Sequence, residues 1–583
     1  MTFADFSNHL SKIEATPKRL EITDLLAELI KQTDPEEVEK AVNLSLGQLA
    51  PLYKDIDFNM AEKMMVKAVA KATGEEEPKV DIEFKRIGDL GETVMSLSCK
   101  AGSRFAGRVH PRIAINEVFE ILLEIAMDFG ENSQERKIEN TANLLRGIDP
   151  LSAKYAVRII LGNLRLGFSD RTVLDALSKL VAGDKSARKK LEEIYNVRPD
   201  IGWMAKTIQD SRFKIQDFRT DPQLGIPILP SLCQRLEGTE EIVEKMGTVA
   251  AEPKWDGQRI QAHINLKGKP KIQLFTRGLE NVAPMFPDLV SALSRFTIYD
   301  LRFTNCILDG EVVAFDSKTN KILPFQTMIT RKRKYDIQQQ LLNVPIRYMI
   351  FDIMYLDGKS LMNEPFSNRR QALERIFSLS NLSNHSLSLA PQLVSNNPLR
   401  IRDFLKKQID SGLEGIVTKR LDSPYSPGRT GFSWVKLKWE GKAKSGGLVD
   451  TIDCVVMGIY AGQGKRAGFG VGAFLAGIYS PSNSSLSSNS SFLTISKIGT
   501  GLTDEQWREL KIKSEKLKVK SCPKEYDVPK ALNPDIWIEP KIVVEIQADN
   551  ITVSPLHTAG FALRFPRLVR YRDDKSPQQI TTV

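Results

Sequence analysis

Cysteine is scarce and poorly spaced for metal or disulfide chemistry. The five residues Cys99, Cys233, Cys306, Cys454 and Cys522 are far apart and odd in number. No C-x-x-C pair occurs, so neither a zinc module nor a disulfide framework is supported. A reducing compartment fits this usage. The N-terminus is amphipathic and mixed in charge, without an apolar signal core. No apolar run approaches the length that spans a bilayer, so no membrane association is expected. Internal repeats are absent too. What is present is the composition of an ordinary soluble protein, 42% hydrophobic and 26% charged. The net charge of +10 favours a polyanionic partner. Spread over 583 residues it equally serves solubility, and charge alone leaves both readings open. The length suits about three or four domains.

Residues 1 to about 215 read as helical. Thr33-Asp34-Pro35-Glu36-Glu37 has the form of a helix start, with Asp34 to cap free amides and Pro35 in the first turn. Asp149-Pro150 repeats the device before Ala153, Ala156, Val157, Ile160 and Leu161, which fall at helical spacing. Gly162 closes that helix. A short turn, Asn163 to Gly167, leads to a second helix from Ser169 or Asp170 through Leu177. Lys154, Arg158, Arg165 and Arg171 cluster near this turn in the sequence. The stretch Asp221-Pro222 to Pro230 reads as a linker. From about 248 to 440 short alternating strands are separated by helices at about 367–378 and 399–411, a mixed α/β pattern. From about 441 the chain is rich in strand and glycine, with one helix near 503–516, which suggests a small barrel of the OB type. Ser480 to Ser491 is Ser/Asn-rich and reads as a hairpin tip.

The chemistry-bearing residues lie in the central pattern. Lys254 sits in Glu252-Pro-Lys254-Trp-Asp256-Gly257-Gln-Arg259. A lone K-x-D-G is more often a solvated turn. Here it is followed in order by Asp309-Gly310-Glu311, Phe351-Asp352, Glu414-Gly415-Ile-Val and Trp434-Val-Lys436-Leu-Lys438. Along an extended segment Glu252, Lys254 and Asp256 share one face. A lysine near its reference pKa of about 10.4 is a poor nucleophile. Partial desolvation among cations makes it one, and Arg259, Arg277, Lys436 and Lys438 are the cations available. Glu311 and Glu414, each beside glycine at a strand end, suit a hard cation that also contacts phosphate. Taken singly, each is an ordinary strand-edge charge. Lys436 and Lys438 share a face and can neutralise an α-phosphate and departing pyrophosphate, or line a solvated edge. Phe351 either stacks on a purine or fills the core.

Together these five elements resemble the nucleotidyltransferase core of ATP-dependent DNA ligases, of the archaeal and eukaryotic replicative type. The resemblance implies a multidomain α+β chain. It would have an all-α DNA-binding domain (about 1–215), a mixed α/β adenylation domain (about 216–440) and a C-terminal OB-fold β-barrel (about 441–583). It implies nick sealing in DNA replication, repair and recombination, with ATP and Mg2+ or another divalent cation. Lys254, Asp256, Lys436 and Lys438 would be the catalytic set. Lys254 would attack the α-phosphate and carry AMP. Glu252 would read the adenine amino group through backbone or side chain, and Phe351 would stack on the ring. Arg259 and Arg277 would contact nucleotide and nick. Glu311 and Glu414 would hold the sugar and the metal. Arg429 follows Pro427-Gly428 but precedes Thr430, where relatives often carry a second basic residue, so its register on ATP stays open.

The run from Ala562 to Lys575, with Arg564 and Arg567, resembles the last ligase motif, and the loop holding Lys465 and Arg466 resembles one that meets DNA. The partner implied is nicked double-stranded DNA, gripped at its phosphates by Lys154, Arg158, Arg165 and Arg171. A sliding clamp is implied by family analogy alone, without a Q-x-x-L-x-x-F-F box. A monomer is expected, in the cytoplasm of an archaeon or the nucleus of a eukaryote. The rival readings are an RNA-directed nucleotidyltransferase (a capping enzyme or RNA ligase) and a DNA-binding protein with a dead core. The large helical N-terminal part disfavours the first and the intact Lys254, Glu311, Glu414 and Lys436 disfavour the second. The missing Cys-rich zinc element disfavours an NAD-dependent ligase.

Overall fold

The computed structural model describes residues 1–101, 113–210, 212–299, 304–316, 318–319, 321–323, 327–328, 344–378, 386–428, 431–438, 451–462, 470–481, 491–548 and 550–582. The chain forms two compact units. One comprises Met1–Met60, Pro111–Ser133 and Ile159–Glu440; the other comprises Ala61–His110, Gln134–Arg158 and Gly441–Val583. The helical residues before 215 are thus divided between them.

In the first unit, helices such as Phe3–Glu14, Arg19–Gln32 and Asp170–Ala182 bury their apolar stripes together. The helix expected near Asp34 begins later, at Val38. The Asp34 carboxylate accepts from Glu36 N–H and its carbonyl from both Glu37 and Val38 N–H, so these residues form a tight turn that runs directly into that helix. The helix Asp170–Ala182 runs past Leu177 and stops at Gly183, whose positive φ of 81° suits a residue without Cβ. The expected linker is pinned rather than loose. Gly225 N–H donates to His263 Nδ1, and Ile228 exchanges two hydrogen bonds with the Gln261 side chain.

Two sheets follow. Their strands are β1 (Gln234–Arg235), β2 (Val249–Lys254), β3 (Gln258–Asn265), β4 (Ile272–Thr276), β5 (Asn305–Ala314), β6 (Ile346–Leu356), β7 (Lys359–Ser360), β8 (Leu387–Leu389), β9 (Leu393–Ser395), β10 (Gly415–Arg420) and β11 (Trp434–Lys438). One sheet has the order β1-β11-β10-β2-β9; the other runs β4-β3-β5-β6-β7, with β8 also paired to β6. Helices Phe366–Ser378 and Pro398–Asp410 lie where alternation gave way to helical spacing, and Asn397 caps the second by accepting from Leu399 N–H.

In the second unit, helix Pro150–Ile160 starts as expected, because the Asp149 carboxylate accepts from Leu151 and Ser152 N–H. Its C-terminal strands are β12 (Ile452–Tyr460), β13 (Ala473–Ser480), β14 (Ser491–Ile498), β15 (Lys518–Val519), β16 (Tyr526–Asp527), β17 (Ile536–Ile538), β18 (Val543–Gln547), β19 (Asn550–Val553), β20 (Phe561–Arg564) and β21 (Arg567–Tyr571). β12 pairs with β13, β17 and β18. The helix Asp504–Glu515, started by a Thr503/Gln506 capping box, sets Trp507 and Leu510 into the core of this sheet. A many-stranded sheet with a helix packed into its core fits the OB-type expectation. The strands do not close a ring among the described residues.

Candidate active site

The site forms where β2, β10 and β11 lie side by side. Lys254 is opposite Gly415 and Glu252 opposite Val417; Val417 is in turn opposite Lys436, and Gly415 opposite Lys438. Gly415 is required for this approach. Its φ is 151°, and a Cβ there would lie 2.2 Å from the Leu437 carbonyl oxygen. Glu414, the residue before β10, is thereby delivered to the end of β2. The Lys254 ammonium donates to its carboxylate, and Lys438 Nζ reaches the same oxygen at 3.0 Å. Desolvation pushes the Glu414 carboxyl upward, but the two lysines outweigh it and hold it below the ordinary range.

Beside Lys254 is a cavity of about 480 Å³. Glu252, Lys254, Arg259, Arg277, Glu311 and Phe351, all expected site residues, line it. Burial pushes the Glu311 carboxyl up to about 8, against the pull of Arg259 and Lys254. Arg277 is exposed at the mouth. Asp256, Glu414, Lys436 and Lys438 are not among the lining residues.

Arg259 is fixed rather than free. Its guanidinium donates to both Asp309 oxygens at 3.0 and 2.6 Å, to the Ser231 carbonyl at 2.6 Å and to the Tyr425 hydroxyl at 3.2 Å. It also packs over Phe351 and Trp434, 5.5 and 5.3 Å from the ring centroids. Asp309, which the sequence motif contains but gives no role, and Tyr425, which the sequence does not single out, hold it. Nor does the sequence single out Lys419, which lines the cavity while paired to Glu252 at 2.7 Å. The signal was available: Val417 and Lys419 alternate onto one face of β10, and Val417 lies opposite Glu252.

The DNA-facing expectations fare unevenly. Lys154 and Arg158 are side chains only 8% and 5% exposed. Lys154 pairs with Glu92 at 2.6 Å and Arg158 with Asp89 at 3.0 Å. This corrects their reading as phosphate grips, because buried, neutralised cations tie helix Pro150–Ile160 to Leu90–Ala101. Arg171 is 70% exposed and Arg165 half-buried. Arg564 and Arg567 are exposed at the adjoining ends of β20 and β21. Arg429, Lys465 and Arg466 lie outside the described residues.

Among the described residues no group of three or more His, Cys, Asp or Glu side chains could hold a metal ion. A magnesium ion asks less of the protein, since one or two carboxylates suffice when waters and phosphates complete the shell. An ionised Glu414 and a half-buried Glu311 are hard oxygen donors of that kind.

Residues 230–438 match the family described as ATP dependent DNA ligase domain, 2–178 match DNA ligase N terminus, and 467–575 match ATP dependent DNA ligase C terminal region. A "Probable DNA ligase" of Dictyoglomus turgidum is 39% identical over 593 residues, covering 100% of this chain and 96% of the relative. The chain belongs to the ATP-dependent DNA ligases. A DNA ligase of Saccharolobus solfataricus is 36% identical over 601 residues, again over 100% of this chain and 96% of its own. The solved structure titled "Pmar-Lig_PreS3" shares the fold, with a TM-score of 0.57 at 16% identity over 97% of the ligase and 99% of that chain. The ligase is therefore an enzyme that uses ATP and acts on nicked DNA. No helix among the described residues is long and apolar enough to cross a membrane.

Proposed function

We propose that the ligase seals nicks through a phosphoramidate on Lys254. The Lys254 amine, once deprotonated, attacks the α-phosphorus of ATP; a P–N bond forms, the bond to the β-phosphate oxygen breaks, and pyrophosphate leaves. An oxygen of the DNA 5′-phosphate then displaces Lys254 from phosphorus. The nick's 3′-hydroxyl finally attacks that 5′-phosphate, loses its proton and expels AMP. The observation that carries this reading is the meeting of Lys254 with Glu414 beside a cavity walled by Glu252, Phe351, Arg259 and Glu311.

The base lies against Phe351 with its amino group toward Glu252. Lys436 and Lys438 neutralise phosphate charge, Arg277 meets the ribose or the 5′-phosphate, and Asp256 orients Lys254. Arg429 or its neighbour in the chain contacts ATP. Glu311 and Glu414 would hold a magnesium ion, which when bound supplies charge neutralisation at the phosphates. We assign DNA contacts to Arg165, Arg171, Lys465, Arg466, Arg564 and Arg567, and a three-part organisation with limits near 215 and 440. Oligomeric state is assigned as monomeric, and a sliding clamp is the partner that family analogy adds. The test is sealing of a nicked duplex with ATP, NAD or GTP offered separately. Sealing with NAD but not ATP overturns the reading.

A further inference from the structure

Lys419 is an unusual lysine. It is 1% exposed, in a wall of the nucleotide cavity. Its Nζ lies 4.3 Å from the ring centroid of Phe351, 4.4 Å from that of Trp434 and 4.8 Å from that of Phe366. It donates to the Phe351 carbonyl at 3.2 Å and pairs with Glu252 Oε2 at 2.7 Å. The other carboxylate oxygen, Glu252 Oε1, is buried and has no hydrogen-bond partner among the described residues. Glu252 itself is 2% exposed and lines the cavity. A buried acceptor without a donor is costly, and a ligand that brings a donor to that oxygen removes the cost.

We propose that Lys419 is a positioning residue for nucleotide selection, which holds Glu252 as an ionised acceptor so that a 6-amino purine is taken and a 6-keto purine is refused. This rests on the assignment of the cavity to ATP. Adenine places an N–H donor at its 6-position, whereas guanine places an acceptor oxygen there, facing a carboxylate that has no proton to donate. Burial holds the Glu252 carboxyl above the ordinary range; Lys419 limits that rise, with Arg370 helping and Asp352 working against it. Without the Lys419 charge the carboxyl takes up a proton. Oε1 then offers an O–H, which suits guanine as well as adenine. The same cage fixes geometry, since Lys419 ties Glu252 to the ring of Phe351.

The test compares full-length wild type, Lys419→Met, Lys419→Arg and Glu252→Gln. Enzyme–nucleotidyl adduct formation is followed by mass spectrometry with ATP and with GTP over a concentration series, from about pH 6 to about pH 9. The readout is the ratio of the two efficiencies. It cancels titration of Lys254, Arg259, Arg277, Glu280, Glu311 and Cys233, which line the cavity for either nucleotide. The expected result is an ATP preference lowered by about tenfold or more in Lys419→Met, recovering as pH rises and Glu252 ionises. Lys419→Arg restores the preference. Glu252→Gln lowers it at every pH. A wild-type ratio in Lys419→Met throughout, or equal losses for both nucleotides, overturns the proposal. If that variant does not fold, an unchanged ratio in Glu252→Gln overturns it instead. Absence of any adduct on wild-type Lys254 would instead refute the assignment of the cavity to ATP.

Discussion

Lys254 and Glu414 share a hydrogen bond across the end of β2 and the start of β10, and Lys438 reaches the same Glu414 oxygen at 3.0 Å. One carboxylate oxygen therefore holds two ammonium groups beside the cavity. Lys254 is the one of the two that also lines it. Lys254→Ala is expected to abolish the AMP adduct. Mass spectrometry after mixing with ATP and magnesium should show added AMP on wild type alone, and equal yield on the variant would remove Lys254 from its role.

Glu311 and Glu414 are expected to matter as oxygen donors rather than through packing. Replacing either by Ala should slow sealing by about 100-fold or more, while the melting temperature stays close to that of wild type. Sealing rates at low and high magnesium decide the point, and near-normal rates for both variants at low magnesium would contradict it.

Arg259 and Asp309 form a bidentate pair under the cavity wall. Arg259→Ala leaves Asp309 and the Tyr425 hydroxyl buried without their cation, and should destabilise the fold by about 3 kcal/mol. Urea unfolding measures this. A loss of adduct formation with unchanged stability would mean that Arg259 acts only on substrate.

Burial holds the His263 imidazole down to about 3, against 6.5 for the ordinary group. Between those values the unfolded chain binds the proton more tightly. The stability that neutral His263 contributes is therefore present above pH 6.5 and lost as pH falls toward 3. Protonation would also remove the acceptor for Gly225 N–H and release the segment pinned to β3. His263→Asn should show a shallower fall in urea midpoint between pH 7 and about pH 4.5 than wild type. Parallel slopes would exclude His263 as a contributor.

The cations of the N-terminal part should separate into two kinds. Charge reversal at Arg165 and Arg171 is expected to weaken nick binding and lower its salt dependence by about two phosphate contacts, with adduct formation unchanged. Lys154→Met and Arg158→Met should instead lower stability, because Glu92 and Asp89 lose their partners. Nick affinity at several salt concentrations, read against melting temperature, distinguishes the two. Tighter dependence of binding on Lys154 than on Arg171 would reverse this sorting.

Much of the site was legible because strand chemistry is local. Alternation places Glu252 and Lys254 on one face of β2, and Gly415 betrays a close strand approach. Order along the chain then made weak motifs jointly specific. Helix starts were read from Asp149 correctly, since a capping carboxylate acts on amides two and three residues away. At Asp34 the carboxylate likewise accepts from the amide two residues on, but a tight turn comes first and the regular helix begins only at Val38.

By itself the sequence determined the succession of helical, mixed and strand-rich parts and brought Lys254 and most of the charged residues of the cavity wall to notice. These follow from periodicity and from residue types whose chemistry has few alternatives. Only the tertiary structure decided which charges are paired. Lys154 and Arg158 look like a solvent-facing grip until Glu92 and Asp89 arrive from a helix some 60 residues earlier. Lys419 looks like a strand-end lysine until Glu252, Phe351, Phe366 and Trp434 close around it. The charge state and reach of an ionisable side chain are set by desolvation and by partners distant in sequence, and neither leaves a mark in the residues beside it.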